Sequence, residues 1–225
     1  MKYVKLFSIF IIILTIAGCS IKEYYFPIVE LTNGKVYKYE CRPDPTKTEY
    51  WKLTADLKNH ILTTEAFDSE FKQYELFKEK FTDKGTEVIE FTSYLKNQKG
   101  LLLPVYNIPK DIDVFKWNKK ESYKYSVETD YDGKYKTIFS KEREYLGKSK
   151  INILGKEREA IKLKRIYKVV VVTSKEKFGY TQYVQYDYYI KGIGLAKIEK
   201  ESSDGNKETL ELTEIMTIDE WNERQ

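Results

Sequence analysis

The sequence predicts a mainly β protein: a single curved antiparallel sheet, a half-barrel or open barrel, with at most one short helix. Three observations carry this. Apolar and polar residues alternate with period two along most of the chain, the pattern of half-buried strands. Tyrosine is abundant at 20 residues and only 41% of the chain is hydrophobic, which suits a sheet with one buried face rather than a thick two-sided core. Tight-turn pairs, Asn33-Gly34, Asp132-Gly133 and Asp204-Gly205, punctuate the alternation.

In chain order, residues 28–31 and 36–39 alternate like strands about Asn33-Gly34, and 42–47, with Pro43 and Pro45, reads as a loop. Residues 50–57 put Trp51, Leu53, Ala55 and Leu57 on one strand face, and 60–67 pairs back across Lys58-Asn59. Phe67, Phe71, Tyr74, Phe77 and Phe81 are spaced like a helix, yet their neighbours are strands and Phe and Tyr favour sheets. Residues 67–81 therefore stay open between helix and strand, with strand preferred. Segments 87–94 and 101–108 flank a polar loop, and Pro104 and Pro109 there imply an edge or an irregular path. Tyr123, Tyr125, Val127 and Thr129 turn at Asp132-Gly133 into Tyr135, Thr137 and Phe139, a well-marked hairpin. Ile161, Leu163, Arg165, Tyr167, Val169 and Val171 share one face of the next strand, with Lys162, Lys164 and Lys168 opposite. A strand through Tyr180, Val184, Tyr186, Tyr188 and Ile190 follows, broken at Gly192 and Gly194, and Asp204-Gly205 turns the chain toward Met216. Residues 219–225 are a short helical tail or a frayed end. The sum is roughly nine to twelve short strands in a meander.

The N-terminus carries an address. Met1 to Lys5 is basic, and Leu6 to Ala17 is an apolar run of 12 residues interrupted only by Ser8 and Thr15. That is shorter than the about 20 residues a membrane-spanning helix needs, and it has the layout of a secretory signal. Ile16-Ala17-Gly18-Cys19 resembles a bacterial lipobox, and this resemblance implies cleavage before Cys19 and attachment of lipid to its thiol. The expected organisation is a signal peptide over 1–18, a lipidated tether over 19–23 and a single β-rich domain over 24–225. Membrane association would run through the lipid on Cys19, palmitate among its acyl chains, in a bacterial cell envelope: the outer membrane, or the outer face of a single membrane.

Two further stretches carry a resemblance. Tyr25-Phe26-Pro27-Ile28 with Gly34-Lys35-Val36-Tyr37-Lys38-Tyr39, and Tyr188 to Lys197 (YYIKGIGLAK), resemble the opening and closing phrases of uncharacterised bacterial lipoproteins with a LolA/LolB-like half-barrel. Tyr37 stands where tryptophan is usual there, and in Gly147 to Lys164, which resembles a further phrase of theirs, Leu154 replaces a Pro-Ala. The resemblance implies a curved sheet and no catalytic residues.

Catalytic and metal chemistry finds little support. His60 is the only histidine, so a histidine triad or a histidine-based zinc site has no second member. With Cys19 lipidated, Cys41 is the one remaining thiol, expected buried and inert. Asp130-x-Asp132-Gly133 lacks the later ligands of a calcium loop. No cofactor or metal is expected, and no enzyme; a glycan hydrolase would need two converging carboxylates. The net charge of +4 falls to +2 without Lys2 and Lys5, which gives no reason to expect nucleic acid. Residues 148–168 hold eight bases and two acids and residues 199–220 the reverse, and these segments are expected to pair across neighbouring strands. The expected function is a non-enzymatic envelope lipoprotein that binds a lipid or other hydrophobic ligand on a concave sheet face, with Tyr180, Tyr186 and Tyr188 as ligand-facing aromatics. The alternative is a scaffold or assembly lipoprotein that binds other envelope proteins.

Overall fold

The computed structural model describes residues 20–225 except 98, 119, 132–134, 174–176 and 202–206; the side chains of 131 and 177–180 are likewise outside the description. The signal segment 1–18, Cys19, and the turns predicted at Asp132-Gly133 and Asp204-Gly205 lie outside the described residues.

Among the described residues, twelve strands form one antiparallel sheet. They are β1 (Lys35–Arg42), β2 (Glu49–Asp56), β3 (Ile61–Phe67), β4 (Gln73–Phe81), β5 (Gly85–Lys96) and β6 (Leu102–Lys116). There follow β7 (Tyr123–Tyr131), β8 (Tyr135–Ile153), β9 (Lys156–Thr173), β10 (Lys177–Ile190), β11 (Gly194–Glu201) and β12 (Lys207–Met216). Each strand pairs with its neighbours in sequence, and β1 pairs with both β2 and β12, so the sheet is a closed barrel. This corrects the expected half-barrel or open barrel. An open sheet leaves two rows of unpaired N–H and C=O groups; closure from Val36 opposite Met216 to Arg42 opposite Thr209 removes both. Period-two alternation is the same in open and closed sheets, so it could not separate them.

Odd-numbered residues of β9 and β10 face the interior, as the expected face of β9 from Ile161 to Val171 requires; Lys141, Arg143 and Tyr145 of β8 lie opposite Tyr167, Arg165 and Leu163. The region 67–81 is a strand, a turn and a strand. Its helix-like spacing merges two clusters: Phe67 and Phe71 pack outside against Trp221, whereas Phe77 packs inside with Phe91 and Tyr125. Pro109 does sit in an irregular ladder, where among the described residues β6 pairs with β7 through Ile108, Pro109 and Ile112, whereas Pro104 lies opposite Tyr94 in a regular part of the β5–β6 ladder. The tail forms α1 (Ile218–Asn222), closed by a capping box between Thr217 and Glu220, and its Trp221 buries against the outside of the barrel with Val36 and Met216.

The first described residues plug one end of the barrel. Ile28–Leu31, expected as a strand, is a 3₁₀ turn with Leu31 buried, and Gly34 (φ 74°) swings the chain into β1. The stretch 20–23, expected as a tether, packs: Ser20 bridges to Asn118, and the Ile21 amide donates to the Trp117 carbonyl at 2.9 Å. Tyr25 lies at the centre of the plug, its ring 5.0 Å from Phe115, 5.3 Å from Phe26 and 5.6 Å from Trp117, and its hydroxyl donates to Glu79. Phe26 meets the other end of the sequence resemblance, because a Cβ on Gly194 would lie 2.4 Å from its ring.

The two oppositely charged segments are not neighbours. β9 lies between β8 and β10, whereas β12 lies between β11 and β1. Their charges are satisfied locally instead, through Lys148–Glu159, Lys150–Glu157, Lys47–Glu208 and Arg224–Glu214.

Candidate interior binding cavity

Above the plug the barrel encloses a cavity of about 480 Å³. A smaller void of about 70 Å³ lies between it and the plug and shares Trp51, Glu75, Tyr125, Lys141 and Arg165 in its lining. The cavity wall is built from the inward positions of β2, β4 and β5 to β12, so it is a product of strand parity and barrel closure rather than of any one motif.

Its aromatic members form a continuous band. Tyr167 stacks on Tyr183 (4.6 Å, 9° between planes) and leans on Phe139 (5.5 Å), and Phe139 is 6.2 Å from Tyr125. Its polar members are held by their own partners. Glu49 accepts from Trp51 Nε1 (2.9 Å) and from the Tyr74 hydroxyl (2.8 Å). Asn107 Nδ2 donates to Ser93 Oγ (3.1 Å), and the Thr129 hydroxyl donates to Asn107 Oδ1.

The charged members are less fully satisfied. Arg165 pairs with Asp187, both almost completely buried, yet Arg165 Nε and Asp187 Oδ2 have no protein partner. Glu75 of β4 makes no side-chain hydrogen bond or ion pair to a described residue, and burial raises its carboxyl to about 7 against the pull of nearby Lys141. Lys141 of β8 donates no hydrogen bond to a described residue. Burial, then the repulsion of Arg165 and Arg143, holds its ammonium well below the ordinary lysine range.

Of the residues expected at the site, Cys19 and the Tyr180 side chain lie outside the described residues. Tyr186 and Tyr188 alternate with Gln185 and Asp187 and so occupy the outer face of β10, away from the cavity. Lys162 Nζ lies 4.3 Å from the Tyr186 ring centre and 5.2 Å from that of Tyr188, and the Tyr188 hydroxyl donates to Glu199 at 2.7 Å. The aromatic that β10 does supply is Tyr183. Cys41 is buried, and its thiol is raised first by burial, as an inert cysteine's would be. Among the described residues no group of three His, Cys, Asp or Glu side chains could hold a metal ion.

The fold and cavity define a small closed antiparallel barrel with a plugged floor and a mixed aromatic and charged interior. No family model matches the chain, and no curated protein is significantly similar to it. Solved structures with a similar outline include a candidate lipoprotein from Parabacteroides distasonis (TM-score 0.49, 11% identity, 88% of this chain and 99% of that one). Others are a candidate exported protein with a YmcC-like fold from Bacteroides fragilis (0.43, 12%, 88% and 100%) and the hypothetical lipoprotein YmcC from Escherichia coli (0.34, 9%, 90% and 90%). At these identities the likeness is one of outline, and no cavity residue is transferred from those proteins.

Proposed function

We propose that this chain is a non-enzymatic, lipid-anchored envelope protein whose barrel interior binds a small amphipathic molecule. The cavity of about 480 Å³ carries this reading, since its volume falls in the range of ordinary ligand sites. Its lining refines the expected ligand. A bare acyl chain would match the band of Tyr125, Phe139, Tyr167 and Tyr183 but leave the Glu75 carboxyl and the Lys141 amine buried without a hydrogen-bond partner among the described residues, at a cost of about 1–3 kcal/mol per group. The ligand therefore combines an apolar or ring face with polar groups. Native mass spectrometry on the mature domain, purified from a bacterial periplasm without detergent, tests this. A reproducible small-molecule adduct that is lost in Tyr167→Ala supports it; a bare mass across preparations overturns it.

A second reading, a scaffold for other envelope proteins, is favoured by one observation. Leu95, Leu101, Leu102, Leu103, Tyr106 and Ile108 of the β5–β6 hairpin are exposed, Tyr106 to 72%. Cross-linking in the envelope from position 106 would capture a partner under this reading and none under the first.

A further inference from the structure

We infer that Lys141 is an imine-forming site: its amine, facing the cavity without an acidic partner and boxed by Tyr125, Phe139 and Tyr167, reversibly captures the carbonyl of an aldehyde or ketone ligand. This rests on the cavity being a binding site and names the chemical class that it takes.

The box is well defined. Lys141 Nζ lies 4.8 Å from the Tyr167 ring centre, 5.1 Å from that of Tyr125 and 5.7 Å from that of Phe139. Arg165 Cζ lies 5.5 Å from the same Tyr167 ring centre, so two basic groups approach one ring. Arg143 stands two residues along β8, and β8 and β9 place it opposite Arg165. Three basic side chains thus crowd one patch of wall, and Asp187 is already committed to Arg165. Among the described residues lining the same space, Glu49 is already bonded to Trp51 and Tyr74, which leaves Glu75 as the carboxyl without a hydrogen-bond partner.

The surroundings decide which form of the amine this favours. Burial, and then the repulsion of the Arg165 and Arg143 guanidinium groups, outweighs the pull of the ring faces and of Glu75 on the ammonium. The balance shifts the amine toward its neutral, nucleophilic form, as in other lysines placed beside a cation. Other surroundings leave that sign unchanged: Tyr125 on β7 and Tyr167 on β9 stay neutral, Glu75 on β4 and Asp187 on β10 pull toward the ammonium, and burial remains the dominant cause.

The step balances without a cofactor. The Nζ lone pair attacks the carbonyl carbon, and the carbonyl π pair moves to oxygen, which takes the proton that nitrogen gives up. The resulting hydroxyl leaves as water with a proton supplied by a carboxylic acid, C=N forms as C–O breaks, and the iminium N–H proton returns to the carboxylate to leave the neutral imine. Glu75, raised to about 7 by burial and so partly protonated at neutral pH, is the acid that lines the space. Water reverses the sequence and releases the ligand.

The test uses the full-length protein with benzaldehyde as probe and cyanoborohydride to trap the imine, followed by peptide mass mapping at pH 7. Lys141 is expected to be labelled at least about tenfold faster than the median lysine, because each unit by which its pKa falls multiplies the free amine tenfold. Labelling no faster than the median overturns the proposal. Lys141→Met should abolish the mapped label, and Glu75→Gln should slow trapping without moving it to another lysine; label that relocates also overturns it. The wild-type comparison decides even if a variant fails to fold. A native adduct with an unreactive Lys141 would leave cavity binding standing and sink this inference alone, whereas a bare native mass would overturn cavity binding and this inference with it.

Discussion

Glu75 sets how the fold responds to pH. Its carboxyl is raised by burial to about 7 in the folded barrel, whereas in the unfolded chain it titrates in the ordinary carboxyl range. Between those values only the folded protein holds the proton, so its contribution to stability falls as pH rises through that window. Glu75→Gln should match the parent in urea denaturation at pH 5 and exceed it by about 1–2 kcal/mol at pH 8, the full shift being discounted for water in the cavity. Equal midpoints at pH 8 would mean that the carboxyl is well solvated. A second residue stores backbone strain: Leu154 (φ 52°) and Gly155 (φ 71°) form the turn between β8 and β9, where both residues need a left-handed conformation. Leu154→Asn should stabilise by about 1 kcal/mol in the same assay, since asparagine tolerates that region. At this scale the sequence was partly legible. Arg165 falls in step with Leu163 and Tyr167 on one predicted face of β9, and the barrel turns that face inward. Lys141 and Glu75 fall equally in step with Phe139 and Phe77, yet in a chain of 39 basic and 35 acidic residues neither stood out from solvated neighbours. A charge at an apolar parity was the available signal.

The elements show where local patterns suffice and where they mislead. The turn between β2 and β3 and the grouping of Ile161 to Val171 on one face of β9 follow directly from alternation. β10 does not: Tyr186 and Tyr188 form the more conspicuous aromatic series, but the register with β9 puts Tyr183, Gln185, Asp187 and Tyr189 inside. Parity within one strand says which residues share a face and not which face is the interior. The phenylalanines of 67–81 misled for a related reason, since α1 supplies an external apolar partner that no local window contains. That partnership is measurable. Trp221→Ala removes a buried ring packed 5.0 Å from Tyr50 and 5.2 Å from Phe71, and should cost about 3 kcal/mol. Thr217→Ala breaks the capping box and should cost about 1 kcal/mol. If thermal unfolding midpoints of both variants matched the parent, α1 would be an ornament on the barrel rather than part of it.

For the whole molecule, the plug fixes geometry that an anchored chain would inherit. Ser20 bridges Asn118 and Ile21 is buried, so the chain is held against the floor of the barrel from its first described residue. A protein acylated at Cys19 would stand on its membrane plug downward, with the cavity on the far side of the plug. Cys19→Ser should shift the protein from the membrane pellet to the soluble fraction after a salt wash; retention in the pellet would sink the lipid anchor. The barrel's closure was beyond the reach of the sequence, because it depends on one pairing between the two ends of the chain, Tyr37 opposite Ile215 and its neighbours. That pairing also governs the order of events during synthesis. Every partial chain shorter than β12 must wait with an unpaired row of backbone groups at each end of its growing sheet, and the first strand made finds its second neighbour only when the last is released. Such a chain is most vulnerable to sticking to its own copies just before it is finished, and whatever escorts it must hold on until the final strand has emerged.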